Sequence, residues 1–326
     1  MRGKTVLILI LLGILVVLLV FFFIFERGEV KVVKKKEFIL GEFTSQDISF
    51  ISIYFRDYYD RTKEYNYTLF KKAGNEYWFI SYSNITDRVD PKLGNFIANI
   101  LGDIEELGRI SSNEVDDIYL NFGFDKPNAR VQFDIKGKTN TLTVGNLAPT
   151  KDYYYTVLND DYSQIYLVYA YKIDNILKYP DEARDKNIFT YEWTNVTGIE
   201  YKPMSYPVMV FTNINNRWLS KVPVEKELDS TFIETEFLKD LRSISISSFI
   251  PPDSRMYRDL VIKSNSPLAY IKFYNGKNEL TLFVLSKAST NFYCYDTDRK
   301  LVYSIDYEST RVLFDSSYER FVKITN

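Results

Sequence analysis

The feature that most constrains the fold is a long internal repeat. The stretch that begins at Pro127 reads Pro-x-Ala-x-Val-x-Phe, and the stretch that begins at Pro267 reads Pro-x-Ala-x-Ile-x-Phe. Both stretches continue to a Gly-Lys pair and a Leu-Thr pair. Two further pairs share the offset of 140 residues, namely Trp78 with Trp218 and Tyr153 with Tyr293. Because each copy is the size of a domain, the repeat indicates a tandem duplication of one domain and not a solenoid.

Alternation of apolar and polar residues predicts the strands of each copy. The abundance of aromatic residues, 27 Tyr and 24 Phe, also favours β structure, because these rings pack well on a half-buried pleated surface. In the first copy the predicted strands are Ile48–Phe55, Tyr65–Lys71, Tyr77–Tyr82, Ala129–Ile135, Thr139–Val144, Tyr153–Leu158 and Gln164–Val168. In the second copy the first three predicted strands are Gly198–Tyr201, Val208–Thr212 and Arg217–Lys221.

Each copy also carries a helical pattern after its third strand. We expect Asp90 to cap a helix with Pro91 at its first position, and apolar residues then recur at helical spacing from Leu93 until Gly108 ends it. A short helix is predicted near Tyr171–Lys178. The matching apolar residues of the second copy are Phe237, Leu238, Leu241 and Ile244. We therefore predict an α+β fold: an N-terminal transmembrane helix, then two tandem modules, each a mainly antiparallel β-sheet with packed helices.

The segment Val6–Phe25 is predicted to form the transmembrane helix. Its 20 consecutive residues carry no charge, and an α-helix of this length spans about 30 Å, the thickness of the hydrocarbon core of a bilayer. A cleaved signal peptide would have a shorter apolar region followed by small residues. Here Phe21-Phe22-Phe23-Ile24-Phe25 leads directly into Glu26. The segment is therefore interpreted as an uncleaved signal-anchor.

The charges around this segment leave two orientations open. Taken literally, the excess of Lys and Arg after the span would place the large region in the cytoplasm. Long domains, however, translocate largely regardless of flanking charge, so we predict that the soluble region is extracytoplasmic. The predicted organisation is a tail and anchor at 1–25, a charged juxtamembrane linker at 26–42, a first module at 43–190 and a second module at 191–326.

The charge and cysteine content exclude two classes of protein. The net charge is −2, and residues 1–36 hold 7 Lys or Arg against 2 Glu, so the remainder has 34 basic and 41 acidic residues. The soluble region therefore lacks the basic surface that nucleic-acid binding needs. The only cysteine, Cys294, cannot form a disulfide framework within the chain.

The sequence contains no recognisable catalytic motif. It has no histidine, which excludes Ser-His-Asp and Cys-His systems and histidine-based zinc sites. It has no phosphate-binding glycine loop, so any ATPase would be a different polypeptide. The acidic pairs Asp116-Asp117, Asp160-Asp161 and Asp296-x-Asp298 lack the spacing of a calcium loop and are interpreted as turn residues. We therefore predict a non-enzymatic protein without a cofactor or metal.

Clusters of tyrosine are the candidate ligand or partner surface. The cluster formed by Tyr58 and Tyr59 and the cluster formed by Tyr153, Tyr154 and Tyr155 could stack against a glycan or a peptide. Alternate residues of a strand point to opposite faces of the sheet, so at least one tyrosine of a strand cluster is expected in the core.

Several short motifs resemble the bacterial domain-of-unknown-function family DUF4340. They are Phe122-Gly123-Phe124-Asp125-Lys126-Pro127-Asn128-Ala129, Val144-Gly145-Asn146, Asp152-Tyr153-Tyr154-Tyr155, Ile165-Tyr166-Leu167-Val168 and Ala183-Arg184-Asp185-Lys186. The resemblance covers about residues 45–190. We read the two motif glycines as turn residues with unusual φ angles. In the second copy Phe283 is matched with Gly145, and Arg-Asp-Lys has no counterpart.

The resemblance implies a role but no chemistry. Members of the family are typically single-span envelope proteins, often found beside components of gliding-type ABC transporters. The sequence therefore predicts a single-pass protein of the bacterial inner membrane that acts as an accessory subunit of an ABC-type transport or gliding-type complex. Its expected partners are the ABC permease or ATPase or other envelope proteins. The alternative is a free-standing extracytoplasmic binding module for polysaccharide or peptide.

Overall fold

The computed structural model describes residues 37–72, 77–111, 117–189, 195–276 and 278–322. The predicted anchor at Val6–Phe25 lies outside these ranges. Among the residues that are described, no helix is long and apolar enough to cross a membrane.

The first module is a nine-stranded antiparallel sheet with the strand order β4-β3-β2-β1-β6-β7-β8-β9-β5. The central pair β1 and β6 joins an N-terminal meander to a C-terminal meander, and the short strand β5 closes the far edge. The strands are β1 (Phe50–Arg56), β2 (Glu64–Lys71), β3 (Trp78–Tyr82), β4 (Ile85–Arg88), β5 (Arg109–Ser111), β6 (Ala129–Ile135), β7 (Lys138–Leu147), β8 (Tyr153–Leu158) and β9 (Gln164–Tyr169).

The second module repeats this topology strand for strand, with the order β13-β12-β11-β10-β15-β16-β17-β18-β14. The two sheets confirm the predicted tandem modules of an α+β fold. All predicted strands are present, and their bounds differ from the predicted ones by at most three residues. The strands are β10 (Gly198–Lys202), β11 (Met209–Ile214), β12 (Arg217–Val222), β13 (Lys226–Glu227), β14 (Ile246–Phe249), β15 (Ala269–Asn275), β16 (Asn278–Lys287), β17 (Asn291–Asp296) and β18 (Leu301–Asp306).

The helices are short and lie on both faces of the sheets. A π-helical turn, Ile233–Phe237, joins two helices of the second module, and short 3-10 helices occupy Ser45–Asp47, Lys263–Asn265 and Tyr318–Phe321. The α-helices are α1 (Leu93–Gly102), α2 (Ile118–Phe122), α3 (Ala170–Ile176), α4 (Pro180–Ala183), α5 (Ser230–Phe232), α6 (Leu238–Arg242), α7 (Arg255–Ile262) and α8 (Tyr307–Thr310).

The predicted bounds of the first long helix are wrong at both ends. The Asp90 side chain accepts the N–H of Lys92 at 2.9 Å, so it forms a turn that precedes the helix instead of capping it. At the other end the chain leaves the helix at Gly102, because the carbonyl of Ile104 accepts the N–H of Ile39 at 3.0 Å. This pairing with the segment before β1 takes the place of helical hydrogen bonds.

Each module buries its main core between one face of the sheet and the helices. Trp78 and Trp218 are equivalent anchors, and both are buried. The indole N–H of Trp78 donates to Asn95 Oδ1 at 2.9 Å, and that of Trp218 donates to Glu234 Oε1 at 2.7 Å. Both acceptors lie on the helical segment that follows, so the sheet and the helix are joined in the same way in both copies.

The opposite face of each sheet carries a smaller core. In the first module Phe122 of α2 packs with Val157 and Ile165, and in the second module Leu260 of α7 packs with Leu285 and Val302. The helices α2 and α7 therefore cover corresponding parts of the two sheets.

The two motif glycines have different roles. Gly123 has a φ of +76°, which confirms the predicted turn. The prediction of an unusual φ is wrong for Gly145. This position requires glycine because a Cβ built there would lie 2.2 Å from the carbonyl oxygen of Phe122. Pairing of β6 with β7 and of β15 with β16 shows that Leu285, and not Phe283, occupies the matching position. The second module therefore lacks this close approach.

We expect Gly145→Ala to destabilise the first module by about 1–3 kcal/mol, the usual cost of overpacking, because the obstacle is backbone and cannot rotate away. Gly108→Ala is the control, since its Cβ would meet only the end of the Leu167 side chain at 3.3 Å. Urea denaturation of both variants measures the difference. Equal losses would show that the approach of Phe122 imposes no constraint.

Candidate functional site

The two modules meet along the segment that connects them. In the first module the N–H of Asp185 donates to the carbonyl of Arg88 at 2.9 Å, next to the edge strand β4. One residue later the carbonyl of Lys186 accepts the N–H of Ile246, the first residue of β14, at 2.8 Å. Isolated bridges join Val89 to Arg184 and Asn187 to Ser245. The connecting segment therefore pairs with one edge strand of each sheet.

A buried cluster of charges holds this junction. Asp87 of β4 accepts hydrogen bonds from two arginines of different origin: Arg184 of the connecting segment at 2.8 Å, and Arg299, from the turn between β17 and β18, at 2.7 and 2.9 Å. The side chains of Asp87 and Arg299 are only 2% and 4% exposed. Burial alone would raise the pKa of Asp87, but the two guanidinium groups outweigh it and lower the pKa, so this carboxylate stays ionised.

Most of the N–H groups of the Arg299 guanidinium donate hydrogen bonds to the first module or to the connecting segment. Besides its fork on Asp87, it donates to the backbone carbonyl of Asp185 at 2.8 Å and to that of Asn187 at 3.1 Å. The Arg184 guanidinium lies over the ring of Phe249 on β14 with its carbon 3.4 Å from the ring centroid. Planar arginine is suited to both arrangements, because it forms paired hydrogen bonds in its plane and stacks through its face. The motif residues Ala183–Lys186 thus form part of the contact between the modules.

Asp296 lies behind Arg299 and is fully buried. One carboxylate oxygen accepts the N–H of Arg299 at 2.6 Å, which confirms the predicted turn role. The other oxygen interacts with the buried hydroxyl of Tyr303, and in the described part of the chain neither of these two atoms has a further hydrogen-bond partner. Burial raises the pKa of Asp296 to about 6, although the Arg299 N–H and guanidinium act in the opposite direction.

The raised pKa of Asp296 predicts a pH-dependent stability. In the unfolded chain an aspartate titrates near pH 4, so between about pH 4 and pH 6 the folded state holds a proton that the unfolded state has lost. The free energy of unfolding therefore falls as the pH rises through this window, and Asp296→Asn is expected to raise it by about 2–3 kcal/mol at pH 8 and to change it little at pH 4. Urea denaturation at the two pH values tests this, with the more exposed Asp298→Asn as the control. An equal effect of Asp296→Asn at both pH values would contradict it.

A cleft of about 640 Å³ opens beside the junction. Its walls include the aromatic residues Tyr77, Phe79 and Phe189 and the cations Lys72 and Arg88. Burial and the neighbouring Arg299 lower the pKa of Arg88, which still remains protonated at any physiological pH. The carboxylates of Asp185 and Asp298 also line the cleft.

The predicted tyrosine surface is divided between the two faces of the first sheet. Tyr154 is buried and its hydroxyl donates to Asp174 Oδ1 at 3.3 Å. Burial raises the pKa of Tyr154 to about 12, and the neighbouring Asp174 and Tyr58 act in the same direction. Tyr155 faces the other side and packs on Phe122, with the ring centroids 4.5 Å apart. This agrees with the expectation that at least one tyrosine of the strand cluster is buried.

Three other tyrosines of the candidate surface, Tyr58, Tyr59 and Tyr153, reach solvent at least in part. Tyr58 and Tyr59 are both exposed, and their rings meet edge-on at 5.1 Å. Tyr153 starts a row of neighbouring rings that continues through Tyr169 to the exposed Tyr171, with centroid distances of 5.3 and 5.4 Å.

Those residues of the acidic pairs that the structure describes act in turns. Asp117 caps α2 through the N–H of Leu120, and Asp161 accepts hydrogen bonds from the N–H and hydroxyl of Ser163. Asp116 lies outside the described residues. Within the described ranges no group of three or more acidic or cysteine side chains is placed to hold a metal ion.

Sequence reasoning missed the junction and the cleft. Arg184 and Asp185 belong to a motif noted above, but their partner Arg299 lies in the other module, and no local pattern connects it to Asp87. The one available signal was a short stretch after Tyr82 in which polar and apolar residues alternate and which contains the charged residues Asp87 and Arg88.

One comparison with known proteins identifies a family. A family model described as a domain of unknown function, DUF4340, matches residues 95–261, slightly more than half of the chain. The matched region begins in α1 and ends in α7, so it includes the connecting segment and parts of both modules. No curated protein and no solved structure matches the chain.

Proposed function

Because the chain belongs to the DUF4340 family, a domain of unknown function, we propose a role from its own architecture: it is a membrane-anchored accessory subunit of a bacterial envelope ABC-type transport or gliding-type complex. The subunit acts by protein–protein contact and not by catalysis. Its anchor is Val6–Phe25, it crosses the inner membrane once, and its two modules lie outside the cytoplasm.

The observation that carries this proposal is that one helix in each module presents apolar side chains to solvent. The helices α2 and α7 cover the smaller cores of the two modules, and each also turns apolar side chains outward. Leu120 of α2 is 65% exposed, with Tyr119 exposed next to it, and Ile262 of α7 is 68% exposed, with Met256 exposed near the start of the same helix. Exposed apolar residues that cluster at one place favour a protein contact. The junction fixes the two modules to each other, so both surfaces are presented by one body.

Co-purification tests the subunit role. We expect the tagged full chain, extracted from its host in a mild detergent, to bring down an ABC permease, and Leu120→Asp and Ile262→Asp each to reduce the yield at least several-fold. Val312→Asp is the matched control, because Val312 is also exposed but lies on neither helix. Recovery of the protein without a permease, or variants that retain it fully, would count against the proposal.

A fusion tests the orientation separately. Alkaline phosphatase joined to the carboxyl end of the full chain is expected to be active, since this enzyme folds only outside the cytoplasm of bacteria. An inactive fusion that is present at normal levels would place the modules in the cytoplasm.

The row formed by Tyr153, Tyr169 and Tyr171 favours a second candidate, a free-standing binding module for polysaccharide or peptide. Aromatic rings at the surface supply an apolar face together with hydroxyl groups. In a pull-down with peptidoglycan, this candidate predicts retention that is lost in Tyr171→Ala and kept in Tyr206→Ala, whose tyrosine is exposed on the second module.

A further inference from the structure

The cleft beside the junction combines an aromatic wall with three cations, of which Arg299 is already paired with Asp87. Phe79, Tyr77 and Phe189 line it together with Lys72 and Arg88. The Lys72 ammonium lies 4.0 Å from the centroid of the Phe79 ring, so cation and ring occupy the same wall. A volume of about 640 Å³ is within the range of small-molecule sites, which are mostly apolar with a few polar groups that orient the ligand.

Arg88 is the cation whose hydrogen bonds are incomplete. Its Nη2 donates weakly to the carbonyl of Ile188 at 3.4 Å. The nearest carboxylates, Asp185 and Asp298, lie 3.9 and 4.0 Å away, which is beyond hydrogen-bond distance. Its Nε is buried and has no hydrogen-bond partner in the described part of the chain. The neighbouring Arg299, by contrast, makes hydrogen bonds of 2.7–2.9 Å to Asp87.

An unpaired buried donor has an energetic consequence. Leaving such a group without a partner costs the desolvation of the group, and this cost is larger for a charged group than for a neutral one. The Arg88 side chain is 19% exposed, so a ligand oxygen in the cleft meets the Nη groups, one of which makes only the long hydrogen bond to Ile188, and not the enclosed Nε. The guanidinium fork matches a carboxylate in particular, because two parallel N–H groups meet its two oxygens.

The charges of the cleft limit the charge of the ligand. Lys72 and Arg88 attract an anion, but Asp185 and Asp298 border the same space and repel a doubly charged one. The aromatic wall stabilises an apolar body next to the charged group. A ligand with one negative charge and an apolar body satisfies all three conditions.

We propose that the cleft binds a monocarboxylate with an apolar body, whose carboxylate is held by Arg88 and Lys72 and whose body packs against Phe79, Tyr77 and Phe189. The proposal does not rest on the accessory-subunit role. The residues concerned come from the end of β2, from β3 and β4 and from the connecting segment, so occupancy of the site depends on the junction between the modules.

Calorimetric titration of the full chain in detergent tests the proposal with three probes. 3-Phenylpropionate is expected to bind saturably, whereas its neutral amide and inorganic phosphate are expected to bind at least tenfold more weakly. Arg88→Gln is expected to weaken 3-phenylpropionate at least tenfold, and Lys72→Gln about three- to tenfold. Arg109→Gln is the control, because Arg109 is an exposed arginine paired with Glu106 at the far edge of the sheet.

Each outcome decides the matter. Equal binding of the acid and the amide, tighter binding of phosphate, or an absence of saturable binding would overturn the proposal. So would unchanged affinity in both Arg88→Gln and Lys72→Gln. If Arg88→Gln loosens the junction and lowers the melting temperature, Lys72→Gln still decides, because Lys72 is exposed and lies outside the buried charge cluster.

Discussion

Replacement of Arg299 by Met is expected to lower the free energy of unfolding by about 3–5 kcal/mol, the usual cost of removing one partner from a buried ion pair. The substitution leaves Asp87 buried with Arg184 as its remaining arginine, and it removes the donors from the carbonyls of Asp185 and Asn187. Met keeps much of the apolar volume of the side chain, so the loss measures the charge and its hydrogen bonds and not a cavity.

Urea denaturation followed by tryptophan fluorescence measures this loss. Arg311→Met is the matched control, because Arg311 pairs with Glu308 at 3.4 Å on the surface, and exposed pairs contribute about 0–1 kcal/mol. Loss of the charge cluster is also expected to uncouple the modules, so that the variant unfolds in two separate steps. Trp78 and Trp218 lie in different modules, and their fluorescence reports on each module separately. A loss no larger than that of the control would mean that the cluster does not hold the modules together.

The second large effect is expected at the end of the described chain. Phe321 is fully buried among aromatic rings of the second module, with centroid distances of 5.0 Å to Phe211, 5.6 Å to Phe232 and 4.9 Å to Phe237. Phe321→Ala removes these contacts and leaves a cavity, so we expect a loss of about 3–5 kcal/mol. The carbonyl of Phe321 also accepts the N–H of Asp229, so the cavity would disturb the start of α5.

Phe96→Ala is the control for this prediction, because Phe96 is a half-exposed residue of α1 in the first module. The free energy of unfolding is expected to fall by less than about 1 kcal/mol in Phe96→Ala, because this substitution removes little apolar area from the core. Calorimetric melting of both variants measures the two losses. A Phe321→Ala loss close to that of Phe96→Ala would show that the second core closes without the C-terminal segment.

The strands were predictable where burial alternates along the chain. Ala129–Ile135 is reproduced at both ends, because Ala129, Val131 and Phe133 are fully buried while Arg130 and Gln132 are exposed. The short strand β4 was missed, because its buried residue is the charged Asp87, which a hydrophobic pattern does not detect. The helix α2 was missed for a different reason: five residues are too few to show a helical period.

The site was much less predictable than the fold. Asp87 and Arg299 are 212 residues apart in the sequence, and a single sequence contains no signal that links two such positions. The interpretation of Asp296 as a turn residue was correct but incomplete, because local spacing carries no information about burial. The apolar pattern after Asp90 predicted the helix correctly but its bounds wrongly. The end of the helix depends on backbone pairing with residues near Ile39, a tertiary contact that a local pattern does not contain.

The pairing of the connecting segment with both sheets has a consequence for aggregation. A sheet edge that presents unpaired N–H and C=O groups is a template for association with another chain. Two separate copies of this module would present four edges, whereas here the edges at β4 and β14 are both paired with the connecting segment. The outer edges, β5 and β13, are only three and two residues long, and β13 consists of the charged residues Lys226 and Glu227. Pairing of the inner edges with the connecting segment therefore leaves only short outer edges, which disfavours association of two chains along their sheets.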